Sequence, residues 1–189
     1  MPPRALRADA RRNRDQIVAA AREVVAEEGP DASLNEIARR AGVGPGTLYR
    51  HFPTRQDLLV AVFRDRIETL CAAADDLAAA RPPGEALTAW LDAVLVHALT
   101  DRGLATTTGD GGTAGGFDCV GMMRAAGERL LTAARRAGAV RADLEVDELF
   151  GLVTGIALAA GDPARAARLL SLTLDGVRGP AHRTDTRAD

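Results

Sequence analysis

The segment between Ser33 and Leu59 constrains the fold of this chain more than any other part of the sequence. Ser33 and Glu36 have the spacing of a capping box, in which a hydroxyl and a carboxylate each bind a backbone N–H at a helix start. Apolar residues follow at helical spacing and turn one stripe of a short helix towards a core. They are Leu34, Ile37, Ala38 and Ala41. The pattern predicts a short helix that begins at Ser33.

Gly42 predicts a sharp turn after this helix. Glycine readily adopts the left-handed backbone conformation that lets a chain reverse, and Val43 can fill the corner that results. Pro45 suits the first turn of a second helix, where a missing N–H costs nothing. Leu48 and Phe52, four residues apart, supply the buried face of that helix. Its other face carries Thr47, Tyr49 and His51.

A third helix is predicted to begin at Thr54, because Thr54 and Asp57 repeat the capping spacing and apolar residues continue from Leu58. We expect this helix to run to about Ala80, before a Pro-Pro-Gly sequence. Two short helices joined by a tight turn form a helix-turn-helix, which can lay its second helix in the major groove of DNA. Residues 33–52 therefore indicate a DNA-reading motif.

The run G-V-G-P-G-T-L-Y-R-H-F, followed by T-R-Q-D-L-L, resembles the DNA-binding signature of the tetracycline-repressor-like (TetR) family. The resemblance covers roughly the first third of the chain and extends back to a set of apolar and small residues. These are Ile17, Ala20, Ala21, Val24, Val25 and Gly29. It implies an all-α protein, with a three-helix DNA-binding domain at residues 13–59 and a helical ligand-binding and dimerisation domain at residues 60–178.

Composition and charge agree with this plan. Helix-favouring residues such as Ala, Leu, Arg and Glu are abundant, and aromatic and β-branched residues rarely form runs as long as a strand. This composition also predicts an all-α fold. The chain has a net charge of −2, but residues 1–55 are net +3 and the remainder is net −5. A basic end attached to an acidic body suits DNA binding, because phosphate attraction acts locally. A chance difference between the two parts is the alternative.

The two ends of the chain are predicted to lie outside the domains. Residues 1–12 are expected to form a flexible basic arm, which either follows DNA phosphates or enters the minor groove. A disordered, solvated tail is the alternative. Asn13 and Gln16 have capping spacing, so the first helix is expected to begin at Asn13. Residues 179–189 are expected to be a disordered tail.

The family resemblance implies roles for residues of the motif. Ser33, with the first N–H groups of its helix, is expected to hold a phosphate, and three more residues to bind backbone oxygens: Tyr49, His51 and Arg55. Base reading is expected from the remaining positions: Asn35, Gly44, Pro45, Gly46 and Thr47. Arg39 or Arg40 is a candidate for a guanine contact, with a solvated face as the alternative. Because the surface carries few donors, specificity should lean on Asn35, Thr47, the arm and DNA shape.

The body of the chain is expected to contain a ligand pocket among its middle helices, because release from DNA requires a ligand that prefers the DNA-incompetent state. The expected wall is mostly apolar and comprises Phe63, Trp90, Val94, His97, Phe117, Met122 and Met123. Ordinary core packing is the alternative for each of them. The ligand is expected to be apolar or amphipathic.

Two helices are predicted near the end of the chain, at about residues 146–160 and 163–178. They are separated by Gly161-Asp162-Pro163, the pattern of a C-cap glycine, an N-cap aspartate and an N1 proline. The resemblance implies that this helix pair forms a homodimer interface, and the alternative is that its faces fill the monomer core. The expected interface residues are Phe150, Gly151, Thr154, Gly155, Leu158, Leu169 and Leu172.

Other classes of function have little support in the sequence. The glycine-rich segment Thr106–Gly116 follows no predicted strand, and the chain has no Lys for a phosphate-binding loop. The three His and two Cys lack metal-ligand spacing. We therefore expect no enzyme activity, no cofactor, no membrane association and a cytoplasmic location. The expected function is a homodimeric, ligand-responsive repressor that binds double-stranded DNA. The alternative is a constitutive regulator or an activator whose body only dimerises.

Overall fold

The computed structural model describes residues 3–29, 31–100, 113–114 and 117–177. Its described part is built from helices, as the composition and the family resemblance predict. They are α1 (Pro3–Glu28), α2 (Leu34–Arg40), α3 (Pro45–His51), α4 (Arg55–Ala80), α5 (Pro83–Thr100), α6 (Cys119–Arg136), α7 (Val146–Ala159) and α8 (Pro163–Val177). Two residue pairs, β1 (Thr113–Ala114) and β2 (Phe117–Asp118), form a short antiparallel ladder. The all-α prediction is confirmed.

The chain divides into two compact units. The first, the head, contains Met1–Glu68 and Thr100–Cys119, and the second, the body, contains Thr69–Leu99 and Val120–Asp189. The chain passes from the head to the body within α4. The expected boundary at residue 60 also falls within α4 and stays a prediction.

The core of the head is formed by α1 to α4. Ile17, Ala21 and Val24 are fully buried on one face of α1, at the spacing of an amphipathic helix. Ile37 on α2, Leu48 on α3 and a group of residues from the first turns of α4 complete the cluster. The α4 residues are Leu58, Leu59, Ala61 and Val62, with Phe52 preceding them at the end of α3.

The helix starts follow the sequence signals in some places and not in others. At α4, the Thr54 N–H donates to the Asp57 carboxylate at 3.0 Å and the Asp57 N–H donates to Thr54 Oγ1 at 3.1 Å, so the capping box is confirmed. The predicted start of α1 at Asn13 is wrong, because this helix already begins at Pro3. Whether the basic segment of residues 1–12 is flexible stays a prediction.

The core of the body is centred on Trp90 of α5, which is fully buried. Its indole Nε1–H donates to the Leu70 carbonyl at 2.9 Å, and its ring meets the Phe150 ring edge-on with centroids 5.9 Å apart. Gly127 of α6 lies against this indole, and a Cβ added there would come within 3.0 Å of Trp90 and 2.9 Å of Val146. Helix α6 can therefore approach this core closely.

The connection between α7 and α8 has the predicted structure. Gly161 has a φ of +78°, and the Asp162 carboxylate accepts a hydrogen bond from the Arg165 N–H at 2.9 Å before α8 begins at Pro163. Phe117 and Asp118 pair with β1, and α6 begins directly after them at Cys119. Most of the glycine-rich segment Thr106–Gly116 and the predicted tail of residues 179–189 lie outside the described residues.

Candidate nucleic-acid interface

The turn between α2 and α3 is closed by backbone hydrogen bonds. Gly42 adopts a φ of +67°, its N–H donates to the Arg39 carbonyl at 3.2 Å, and the Val43 N–H donates to the Ala38 carbonyl at 3.0 Å. This pair of bonds is a Schellman motif, which satisfies the carbonyls left open at a helix end. The predicted left-handed glycine and tight turn are confirmed.

Helix α3 has one buried and one exposed face. Leu48 and Phe52 are only 1% and 3% exposed, which confirms them as the buried face. The guanidinium of Arg14, a residue of α1, lies over the Phe52 ring, 5.2 Å from its centroid. Tyr49 is 49% exposed, although it is a large aromatic residue. The side of α3 opposite Leu48 and Phe52 is therefore exposed to solvent.

Most of the residues predicted to bind DNA are exposed to solvent. Three side chains are partly buried: Thr47, His51 and Arg55. The other predicted DNA-binding residues are exposed: Ser33, Asn35, Arg40, Gly44, Pro45, Gly46 and Tyr49. Their assignment to particular contacts with DNA stays a prediction.

The predicted capping box at α2 is wrong. Ser33 is the N-cap residue by its backbone, but its side chain makes no capping hydrogen bond. The Glu36 carboxylate instead accepts hydrogen bonds from Arg39, at 2.8 and 2.7 Å, and from Arg40 Nε at 3.0 Å. These bonds, those of Arg39 most strongly, lower the pKa of Glu36 to about 2. The Glu36 carboxylate therefore binds the arginines three and four residues later in the helix, in place of the backbone N–H at the helix start.

Arg40 also connects α2 to α1. Its two terminal nitrogens donate to the Glu27 carboxylate at 2.9 and 2.6 Å, which lowers the pKa of Glu27. All the nitrogens of this guanidinium thus face carboxylates of Glu27 and Glu36. A guanine contact by Arg40 would have to compete with both partners, and this competition makes a structural role the simpler expectation.

Arg55 lies at the start of α4 and contacts the segment before α2. Its Nη1 donates to the Ala32 carbonyl at 2.6 Å, and its side chain is partly buried. The guanidinium therefore holds the loop that carries Ser33. A phosphate contact by Arg55 stays a prediction, and any substitution of Arg55 will also alter this loop.

Arg50 is a residue of the exposed face to which the sequence patterns assigned no role. Its Nε donates to the Gly46 carbonyl at 3.1 Å, and its Nη2 lies 3.4 Å from Thr47 Oγ1. Within the described part of the chain, no carboxylate pairs with it. Its position two residues after the buried Leu48 is the sequence signal that identifies it, because such a residue points away from the core.

The residues predicted to line a ligand pocket belong to different environments. Trp90 and Val94 are buried in the core of the body, Met123 packs against that core, and Met122 is exposed. His97 is partly buried. Phe63 belongs to the head, and the Phe117 side chain lies outside the described residues. The described positions of these residues favour core packing for Trp90 and Val94, and the pocket stays a prediction.

A cavity of about 580 Å³ lies elsewhere in the body, near the start of α5 and the end of α8. Its wall includes Leu87, Val140 and Leu174, with the charged residues Arg81, Glu85 and Asp92. Burial raises the pKa of the Asp92 carboxyl. The cavity has the volume of a small-molecule site, which is typically about 300–1,000 Å³.

The predicted dimer residues divide into an exposed and an inner group. Phe150 and Leu169 are partly buried and pack against the core of the body. The exposed group comprises Gly151, Thr154, Gly155, Leu158 and Leu172. Leu158 and Leu172 are 70% and 57% exposed, and open space lies above both glycines. This exposed group on α7 and α8 is called the α7–α8 face below.

The described residues contain no group of three or more His, Cys, Asp or Glu side chains placed to hold a metal ion. None of their helices combines the length and the apolar character needed to cross a membrane.

Comparisons with known proteins agree with this geometry. Residues 17–62 match the model of bacterial regulatory proteins of the tetR family, and residues 82–179 match the model of the SbtR-like transcriptional regulator C-terminal domain. The structure is similar to that of the TetR transcriptional regulator SCO0520 from Streptomyces coelicolor. The two are 41% identical with a TM-score of 0.75, and the match covers 89% of this chain and 99% of that one.

Two further relatives have a lower identity or a shorter match. A gamma-butyrolactone receptor (ArpA-like protein) of known structure is 25% identical, with a TM-score of 0.62 and 92% of each chain covered. An uncharacterized HTH-type transcriptional regulator, TtgW, from Pseudomonas putida is 40% identical over 89 residues, which are 46% of this chain and 66% of TtgW. The match thus spans slightly less than two thirds of that relative.

A complete helix-turn-helix with an exposed second helix is therefore joined to a helical body, and family models match both parts. The chain belongs to the TetR family of DNA-binding transcriptional regulators.

Proposed function

We propose that this regulator is a homodimeric repressor that leaves a palindromic operator when a small molecule binds its body. One observation carries the proposal: the same chain presents the exposed face of α3 in its head and the exposed, glycine-containing α7–α8 face in its body. The first suits the major groove of DNA, and the second suits another protein surface.

Dimerisation follows from what one head can read. A single recognition helix contacts only a few base pairs, whereas a two-fold dimer reads two half-sites and requires a near-palindromic operator. Ser33, Tyr49, His51 and Arg55 are proposed to bind the DNA backbone. Asn35 and Thr47 are proposed to read bases, with Gly44, Pro45 and Gly46 permitting close approach.

The α7–α8 face has the properties of a helix–helix interface. Leu158 and Leu172 expose large apolar side chains, and covering them with a partner removes apolar surface from water. Gly151 and Gly155 lie one turn apart with nothing within 4 Å of an added Cβ. The missing side chains would let a second helix pair approach at the short end of the usual range of about 8–10 Å.

The dimer proposal is tested by adding bulk to this face. Gly155→Leu has room in the monomer, so the variant should fold, but the new side chain should obstruct a closely packed partner. Sedimentation at micromolar concentration should show a dimer for the wild type and a shift towards monomer for the variant. Ala78→Leu, at an exposed position of α4, is the matched control and should remain dimeric. A wild-type monomer would contradict the proposal.

A small-molecule effector is supported by the family and by the body itself. The likeness to a gamma-butyrolactone receptor supports a small organic ligand, and the body holds a cavity of suitable volume. Trp90 is the single tryptophan of the chain and lies in the core of the body, so its fluorescence should report ligand binding. Gamma-butyrolactones of different chain length are the probes of choice.

The effector experiment combines two readouts. A probe that changes Trp90 emission and also releases the protein from a labelled duplex supports ligand-controlled repression. The second candidate function is a constitutive regulator or an activator whose body only dimerises. It is favoured by the tight packing of Trp90 and Val94, and it predicts DNA binding that no probe alters. We propose in either case that the protein acts in the cytoplasm and catalyses no reaction.

A further inference from the structure

We propose that Arg50 is the principal base-reading residue of the recognition helix and that it selects a guanine in each half-site. The proposal rests on the operator-reading function proposed above and names the residue that supplies its specificity. It starts from a shortage: Gly44, Pro45 and Gly46 contribute no side-chain donor to the exposed surface of the motif. The two side chains proposed above to read bases carry one amide and one hydroxyl, so an arginine on α3 would add several donors to them.

The geometry of α3 places Arg50 at the centre of the exposed face. Residues of an α-helix follow one another by about 100°, so Arg50 lies about 200° around the axis from Leu48. Leu48 is the buried residue of this helix, and Arg50 therefore lies on the opposite side. Thr47 and Tyr49 lie to either side. A recognition helix contacts base edges mainly through its N-terminal residues. The Arg50 side chain reaches back to the Gly46 carbonyl in the first turn of α3, which brings its guanidinium towards this end of the helix.

The Arg50 side chain is already held across this face. Its Nε donates to the Gly46 carbonyl, four residues earlier, and its Nη2 approaches Thr47 Oγ1. Gly46 has no side chain to obstruct this path, and an added Cβ there would meet open space. The planar guanidinium is thus oriented before binding, which reduces the conformational entropy lost when it contacts DNA.

The charge distribution favours Arg50 over the other arginines of the motif. Arg39 and Arg40 donate to Glu36, and Arg40 also donates to Glu27. Arg50 has only neutral oxygens as partners in the described part of the chain. An arginine with terminal N–H groups available can bind O6 and N7 of guanine together, the commonest specific contact in the major groove.

Selection from a random duplex library, performed in parallel with the wild type and variants, tests the proposal. The wild type should enrich a near-palindrome with a guanine at a fixed position in each half-site. Arg50→Ala should lose the preference at that position and keep the others. Replacing that guanine should weaken the wild type about 10-fold or more, and should have little effect on Arg50→Ala. Arg50→Lys keeps the charge without the planar fork and should also lose much of the preference.

Arg22→Ala is the matched control, because Arg22 is an exposed arginine of α1 that pairs with Asp65. It should retain the full base preference. Circular dichroism and thermal unfolding should be unchanged for Arg50→Ala, since the side chain is exposed and alanine favours helix.

Three results would overturn the proposal. If Arg50→Ala keeps the guanine, or if Arg39→Ala loses it instead, Arg50 does not read that base. If Arg50→Ala weakens binding equally to operator and unrelated DNA with a shallower salt dependence, Arg50 contacts phosphate. If the wild type enriches no sequence, the proposed operator-reading function fails together with this inference. In the first two results, by contrast, the wild type still selects an operator and only the role of Arg50 is wrong.

Discussion

Arg40 on α2 donates two hydrogen bonds to the carboxylate of Glu27 near the end of α1, at 2.9 and 2.6 Å. Through its Nε it also donates to Glu36 at 3.0 Å. The first helix of the DNA-reading motif is therefore attached to α1 by paired charges as well as by apolar packing. Because protonation of Glu27 and Glu36 removes these charge pairs, the attachment of α2 to α1 should weaken at low pH.

The first prediction concerns the pH dependence of stability. Glu36 has a pKa of about 2 in the folded protein and an ordinary value of 4.5. Because the folded-state pKa is lowered, the stabilisation is fully present above about pH 4.5 and is lost as the pH falls towards 2. Urea unfolding should show a smaller decrease in stability between these pH values for Glu36→Gln than for the wild type. Equal slopes for the two proteins would show that the ion pairs do not stabilise the fold.

The second prediction compares the two capping positions. Thr54→Ala removes a hydroxyl that accepts the Asp57 N–H, and should lower the free energy of unfolding by about 1 kcal/mol. Ser33→Ala removes a hydroxyl that makes no capping hydrogen bond, and should change it by less than about 0.5 kcal/mol. Chemical denaturation of both variants and the wild type measures these changes in the free energy of unfolding. A similar loss in each would mean that Ser33 caps α2 in solution.

The third prediction concerns the core of the body. Gly127→Ala places a Cβ within 2.9 Å of Val146 and 3.0 Å of Trp90, so overpacking should outweigh the better helix propensity of alanine. The expected loss of stability is about 1–2 kcal/mol. Thermal unfolding should show it, with a shift in Trp90 fluorescence. Unchanged stability would show that α6 can move away at little cost.

Gly151→Ala is the matched control for this substitution. It adds the same methyl group to a helix, but at a site with nothing within 4 Å. In a monomeric body, it should therefore stabilise the fold by up to about 1 kcal/mol. If the α7–α8 face is a dimer interface, this gain should be reduced or reversed in the dimer.

The fourth prediction concerns Thr47. Thr47→Val keeps the size and the methyl group but removes the hydroxyl, which can bond to a base edge and lies 3.4 Å from Arg50 Nη2. Binding to the selected operator should weaken by about 1 kcal/mol or more, with a smaller effect on unrelated DNA. Fluorescence anisotropy with the two duplexes measures both. Equal losses would show that Thr47 does not read bases.

Sequence signals predicted the parts of the fold that depend on local backbone geometry. Gly42 and Gly161 adopt the left-handed conformations that their positions indicated, and Thr54 caps α4 through Asp57. The capping box at Ser33 failed for a physical reason. Glu36 has two arginines within reach on its own helix, and charged donors bind a carboxylate more strongly than a backbone N–H.

Features that depend on tertiary packing were less accessible to prediction. The contact between Arg40 and Glu27 joins different helices, and spacing along the chain does not reveal it. The choice between core and pocket for Trp90 depends on residues from several helices. Arg50 is a different case, because its position opposite Leu48 follows from helical periodicity alone. The sequence contained that information, and the structure adds the contacts that orient the side chain.

We propose that this TetR-family protein reads DNA as a two-fold dimer. The most direct test is the mass of the complex formed with the duplex that the wild type selects, measured by sedimentation beside an isolated half-site. Two protein chains should bind the selected duplex, and binding to the half-site should be much weaker. A single chain that binds both duplexes with equal affinity would contradict it.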